Sequence, residues 1–100
     1  MAEKETKWDI AEPKRHFQKF FETHTQYVEF IPEFRADVTE NPFRHENPIK
    51  IKKLKPNDSY PPDCYRWRKK DLRIVYSVSK PDKLIFPLDA DTAGGIAYKK

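Results

Sequence analysis

The pattern of apolar and polar positions changes period several times along this chain, and each change marks an element. The sharpest stretch runs from Asp63 to Val78. Tyr65 and Trp67, then Leu72, Ile74, Tyr76 and Val78, alternate with Arg66, Arg68, Arg73, Val75 and Ser77. That period of two predicts a half-buried β-hairpin, broken by the polar pair Lys70-Asp71. A two-residue turn there sets Lys69 opposite Leu72, Arg68 opposite Arg73, Trp67 opposite Ile74 and Tyr65 opposite Tyr76. A four-residue loop over Lys69 to Leu72 keeps the same pairs. Tyr65, Trp67, Ile74 and Tyr76 then share one face, while Arg66, Arg68 and Arg73 share the other. Like charges directly opposed in an antiparallel pair are unfavourable. A fold that gathers three arginines has an anion to offer them.

Elsewhere the period is helical. Lys7 to Ala11 alternates briefly and predicts a first strand, and Glu12-Pro13 reads as a helix start because proline suits the first turn. Phe17, Phe20, Phe21 and His24 fall on one helical face, and Thr23-His24-Thr25 is the break. Tyr27, Phe30, Ile31, Phe34 and Val38 repeat the spacing, with Pro32 expected to kink or restart the helix. Asn41-Pro42 ends it, since a residue before proline avoids the helical region. Two helices with an aromatic inner face result. Between Asn41 and Pro62 the prolines 42, 48, 56 and 61 predict mainly loop, in which Ile49 to Lys55 is an extended segment, apolar side in and lysines out. Leu84 to Leu88 predicts a further strand, with Pro87 confined to an edge or a bulge because it cannot donate to a ladder. The only glycines, Gly94-Gly95, precede Ile96-Ala97-Tyr98. The expected fold is α+β in the order β-α-α-β-β-β, an antiparallel sheet with a helical hairpin packed on one face.

Length and charge narrow the function. One hundred residues make one domain, 1–100, with the polar Met1 to Thr6 expected to fray. A formal charge of +4 and a sequence pI near 9.2 favour a polyanionic partner, nucleic acid first. Lys50, Lys52, Lys53 and Lys55 are candidate contacts to a nucleic-acid backbone, against the plainer reading of a solvated face. The lone Cys64 excludes an internal disulfide and reads as a small buried residue. No run reaches membrane-spanning length and the charged start is unlike a leader, so the expectation is a cytoplasmic protein without membrane contact. His16, His24 and His45 have no carboxylate or cysteine at ligand spacing, so neither metal nor cofactor is expected.

The order of elements and the residues around the hairpin resemble the RelE/ParE superfamily of toxins from toxin–antitoxin pairs, over Trp8 to Tyr98. The resemblance rests on Asn41-Pro42, Lys53-Leu54, Asp63 to Arg68, Leu72 to Tyr76 and Ile96-Ala97-Tyr98. It implies a RelE-like messenger-RNA interferase: a metal-independent endoribonuclease that cuts mRNA on the ribosome and is neutralised by a cognate antitoxin. The RNA's own 2′-hydroxyl attacks the neighbouring phosphate, so side chains must hold the phosphate and manage two protons. By position, Arg66 and Arg68 match the family's two basic strand residues, Arg73 the arginine at the scissile phosphate, and Tyr98 a terminal tyrosine that orients the RNA. Two departures stand out. Asp89-Ala90-Asp91-Thr92-Ala93 is acidic where relatives place a late basic residue or histidine as general acid. Arg68 stands where some relatives have lysine, and arginine is a poor general base. His45 or Lys52 is left to stand in. The alternatives are a non-catalytic or weakly active RelE-fold module that binds an antitoxin-like partner or RNA, and a ParE-like gyrase inhibitor.

Overall fold

The computed structural model describes residues 8–55 and 63–92. The chain forms β1 (Asp9–Ile10), α1 (Arg15–Thr23), a 3-10 helix (Thr25–Phe30), α2 (Ile31–Glu40), β2 (Ile51–Lys53), β3 (Cys64–Lys69), β4 (Leu72–Ser79) and β5 (Leu84–Thr92). One sheet runs β1-β5-β4-β3-β2, antiparallel throughout except where β1 lies parallel to β5. The helices cover one face of this sheet, so the α+β fold is as the sequence predicts. The extended segment after the helices joins the ladder as β2, adding a strand to the expected order. No described helix is long and apolar enough to cross a membrane.

Phe17, Phe20 and Phe21 drive α1, at three-and-four spacing, into the core. The helix stops where Thr23 Oγ1 turns back to the Lys19 and Phe20 carbonyls and the His24 N–H caps the Phe20 carbonyl. Pro32 restarts the second helix instead of kinking it. Residues before it take 3-10 geometry, and Pro32 lies in the first turn of α2, where its missing N–H has no intrahelical acceptor to lose. Asn41 then turns extended, with φ −158 and ψ 103, ahead of Pro42.

The core is aromatic. Phe34 meets Trp67 and Tyr76 edge-on with ring centroids 5.5 and 5.8 Å apart, and all three are almost fully buried. Each such ring contributes roughly 1.5–3 kcal/mol by leaving water. The Tyr76 hydroxyl, sealed inside, donates to the Pro42 carbonyl at 2.6 Å, tying the start of the long loop to mid-sheet. Burial pushes the Tyr76 phenol far above its ordinary range, so it remains a donor.

The hairpin register is the predicted one: Tyr65 pairs with Tyr76, Trp67 with Ile74, Arg68 with Arg73 and Lys69 with Leu72. Lys70 closes the turn in the left-handed region at φ 55. One expectation needs correcting. Leu84 to Leu88 is only the first half of β5, and β5 is internal because β1 covers its outer side. Pro87 therefore sits at a bulge. Val75 pairs with Asp89 and Tyr76 with Pro87, which leaves Leu88 without a partner. The extra residue inverts the alternation along β5. Ile85 and Ala90, an odd number of positions apart, both enter the core. Asp89 and Asp91, which unbroken alternation from Ile85 would aim at the helices, share the opposite face with Val75 and Arg73.

Candidate anion site on the open sheet face

Away from the helices, two ladder rows define a charged surface. Lys52, Arg66, Val75 and Asp89 form one row, and Arg68, Arg73 and Asp91 the next. The face is thus basic on β2, β3 and β4 and acidic on β5.

The arginines are held without being neutralised. Arg66 donates a terminal N–H to the Ile49 carbonyl at 3.1 Å, and Arg68 Nε–H donates to the Lys70 carbonyl at 3.2 Å. Among the described residues, the Nε atoms of Arg66 and Arg73, closed off from solvent, have no hydrogen-bond partner. Burial first, then the charges of Arg73 and Arg68, pull the Arg66 pKa below its ordinary value. Among the described residues the ion pairs are His45–Asp37, Lys50–Glu33, Lys50–Asp37 and Lys69–Glu33, all on the helix side. Neither β5 carboxylate pairs with an arginine. Asp89 Oδ1 and Asp91 Oδ1 instead accept the N–H groups of Ala90 and Thr92, each at 2.8 Å. Unpaired buried donors and adjacent like charges are both unfavourable, and an oxyanion would relieve both.

The lysines divide. Lys52 lies on the arginine face and is exposed. Lys50 differs from the lysines-out expectation. It lies between α2 and β3, where its Nζ donates to Glu33 and, at 2.9 Å, to Asp37, and stands 5.5 Å over the Trp67 ring. Its neighbour Ile49 is 61% exposed instead of turned in. Lys53, on the helix-facing side of β2, sits 5.9 Å over the Tyr65 ring. Lys55 is exposed beyond β2. Tyr98 lies outside the described residues.

Glu33 and Asp37, one turn apart on α2, anchor this arrangement. Asp37 Oδ2 accepts Lys50 and the Trp67 indole N–H, both at 2.9 Å, and Asp37 Oδ1 lies 3.5 Å from His45 Nε2. Burial pushes the Asp37 carboxyl up, but those donors and the charges of Lys50 and His45 outweigh it and hold it low. Hydrogen bonds from Lys50 and Lys69 hold Glu33 low as well. Lys50 is pulled down by desolvation and raised more by its two carboxylates. With Lys50 fixed, its carbonyl accepts the Arg68 N–H at 2.8 Å, extending the β2–β3 ladder up to the arginines.

An open groove of about 530 Å³ runs beside Arg68, lined by Asn47, Ile49, Lys50, Arg68, Lys69 and Lys70. Lys69 and Lys70 were not singled out by sequence, although their place in a basic run at the hairpin tip was a visible signal. His45 is on the helix side, as are His24, stacked on Phe20 at 4.3 Å, and the exposed α1 residue His16. No group of three metal-ligating side chains occurs among the described residues.

These features define a small α+β domain whose open sheet face presents an unneutralised arginine cluster. Its fold is that of RelE toxins. The chain matches the RelBE2 toxin–antitoxin complex of Mycobacterium tuberculosis with a TM-score of 0.66 at 12% identity, over 86% of this chain and 98% of that one. It matches the archaeal RelE–RelB complex of Pyrococcus horikoshii OT3 with a TM-score of 0.65 at 26% identity, over 88% and 97%. YafQ from E. coli matches with a TM-score of 0.61 at 15% identity, over 89% and 97%. No family model and no curated protein sequence matches the chain.

Proposed function

We propose that this chain is the toxin of a toxin–antitoxin pair, an endoribonuclease that cuts messenger RNA bound to the ribosome. One observation carries the reading: Arg66, Arg68 and Arg73 crowd one open face, with buried Nε donors on Arg66 and Arg73 that no described protein group satisfies. A phosphodiester meets that demand, and the same donors would hold the extra charge of a pentacoordinate phosphate. Lys52 and the groove beside Arg68 extend the basic track for the flanking backbone. The M. tuberculosis and P. horikoshii structures are toxin–antitoxin complexes, which supports a cognate antitoxin as the protein partner here.

The test is induction of wild type and Arg73→Ala in cells, with growth followed and ribosome-bound message mapped for new 5′ ends. Wild type is expected to arrest growth and cut message, and Arg73→Ala to do neither. Wild-type expression that leaves both growth and message intact refutes the nuclease. A second reading, a module that binds RNA or an antitoxin-like partner without cutting, is favoured by the acidic pair Asp89 and Asp91 beside the arginines. RNA binding that needs Arg73, without cleavage, would establish it.

A further inference from the structure

The acidic half of the open face has no role in holding an anion. Asp91 is the direct ladder partner of Arg73, on the same face, and partners so placed have Cβ atoms about 4.5–5.5 Å apart. It is there only because of the bulge at Pro87, without which its side chain would point to the helices. Its Oδ1 is fixed by the Thr92 N–H, and its carboxylate forms no ion pair among the described residues. We infer that Asp91 takes the proton from the attacking 2′-hydroxyl, which rests on the nuclease reading above.

Elimination supports the assignment. Transfer through a 2′-hydroxyl needs an acceptor that is unprotonated at neutral pH, and arginine and solvated lysine side chains arrive protonated. Among the described residues all three histidines lie on or beside the helices, away from this face. Two carboxylates remain on this face among the described residues. Asp89 stands opposite the buried apolar Val75, and Asp91 opposite the arginine that would grip the scissile phosphate. Arg73 between carboxylate and phosphate also offsets the repulsion that would otherwise separate two anions.

In the step, the 2′-oxygen forms a bond to phosphorus as its proton passes to Asp91 Oδ2. The bond from phosphorus to the 5′-oxygen breaks, and that oxygen takes a proton from solvent water. A 2′,3′-cyclic phosphate and a 5′-hydroxyl result, and Asp91 returns its proton to solvent. The late acidic residue thus supplies proton acceptance where the resemblance leads one to expect a basic general acid.

The test compares wild type, Asp91→Asn and Asp91→Glu in single-turnover cleavage of a ribosome-bound message across pH. Binding is measured with the same message carrying a 2′-deoxy nucleotide at the cut. Asp91→Asn is expected to cleave about 100–10,000-fold more slowly. It should also lack any fall in rate on acidification that wild type displays, while binding the deoxy message within about 3-fold of wild type. Asp91→Glu should restore much of the rate and the acid limb. If Asp91→Asn fails to melt as wild type does, Asp91→Ser takes its place. An active wild type with an equally active, tighter-binding Asp91→Asn overturns the inference alone, because Asp91 then only repels RNA. An inactive wild type that still binds the deoxy message overturns the nuclease reading and this step with it.

Discussion

Replacing Arg73 with methionine tests what the charge of the arginine cluster costs the fold. The substitution keeps most of the apolar stem and removes a guanidinium whose Nε has no partner, so no hydrogen bond at that atom is lost. Arg73 faces Arg68 directly, with Arg66 diagonal on β3, and on its other side faces Asp91 directly, with Asp89 diagonal on β5. Two unit charges about 6 Å apart at an effective dielectric of about 20–40 interact by roughly 1.4–2.8 kcal/mol. Screening at about 0.15 M salt removes around half of that. Two repulsions against two attractions nearly cancel, so Arg73→Met is expected to lie within about 0.5 kcal/mol of wild type, a Tm shift below about 4 °C in a domain of this size. Thermal and urea melts in low and high salt, with and without inorganic phosphate, provide the measurement. Wild type should gain stability from phosphate, about 1.4 kcal/mol at tenfold excess over Kd, and Arg73→Met far less. A variant at least 1 kcal/mol less stable than wild type, or one that responds to phosphate equally, refutes the reasoning.

Asp37→Ala leaves Lys50 and the Trp67 indole short of an acceptor and is expected to destabilise by about 2–4 kcal/mol in denaturant melts. The depressed carboxyls of Asp37 and Glu33 supply stability that is complete above the ordinary carboxylate range and lost as pH falls through their lower folded values. The raised Lys50 amine supplies stability that is complete below the ordinary lysine range and lost as pH rises through its folded value. Wild-type stability against pH should therefore form a plateau bounded on both sides, and a variant profile as steep as wild type in acid would count against the cluster. Tyr76→Phe, which strands the buried Pro42 carbonyl, should cost about 1–3 kcal/mol, and an unchanged urea midpoint would exclude that bond from the fold's energetics. Lys70→Gly relieves the left-handed turn residue and should raise stability by about 0.5–1 kcal/mol, checked by the same melt; a loss would mean that the turn prefers a side chain.

Local rules made the central hairpin legible. Strict alternation on both sides of Lys70-Asp71 fixes faces and register together, because a slip of one residue would bury the arginines and expose Trp67. The bulge was half legible. Pro87 announced an irregularity, but nothing local says that it inserts one residue, and that single residue decides which way Asp89 and Asp91 point. Lys50 misled for a related reason. Alternation between Ile49 and Ile51 describes a strand, whereas the carboxylates that capture its amine lie far back in sequence on α2. The pairing of β1 with β5 was beyond reach because a two-residue strand carries almost no periodic signal.

That last pairing governs when the protein can exist. Asp9 and Ile10 pair in the sheet with Leu84 and Ile85, so β1 waits for β5 to be made. The β3–β4 hairpin closes locally and can form early, whereas β5, which flanks Arg73 and bridges to β1, is synthesised after it. A nascent chain therefore displays the arginines before it has the sheet to hold them in place. Any activity of this face is confined to polypeptides whose synthesis has passed β5.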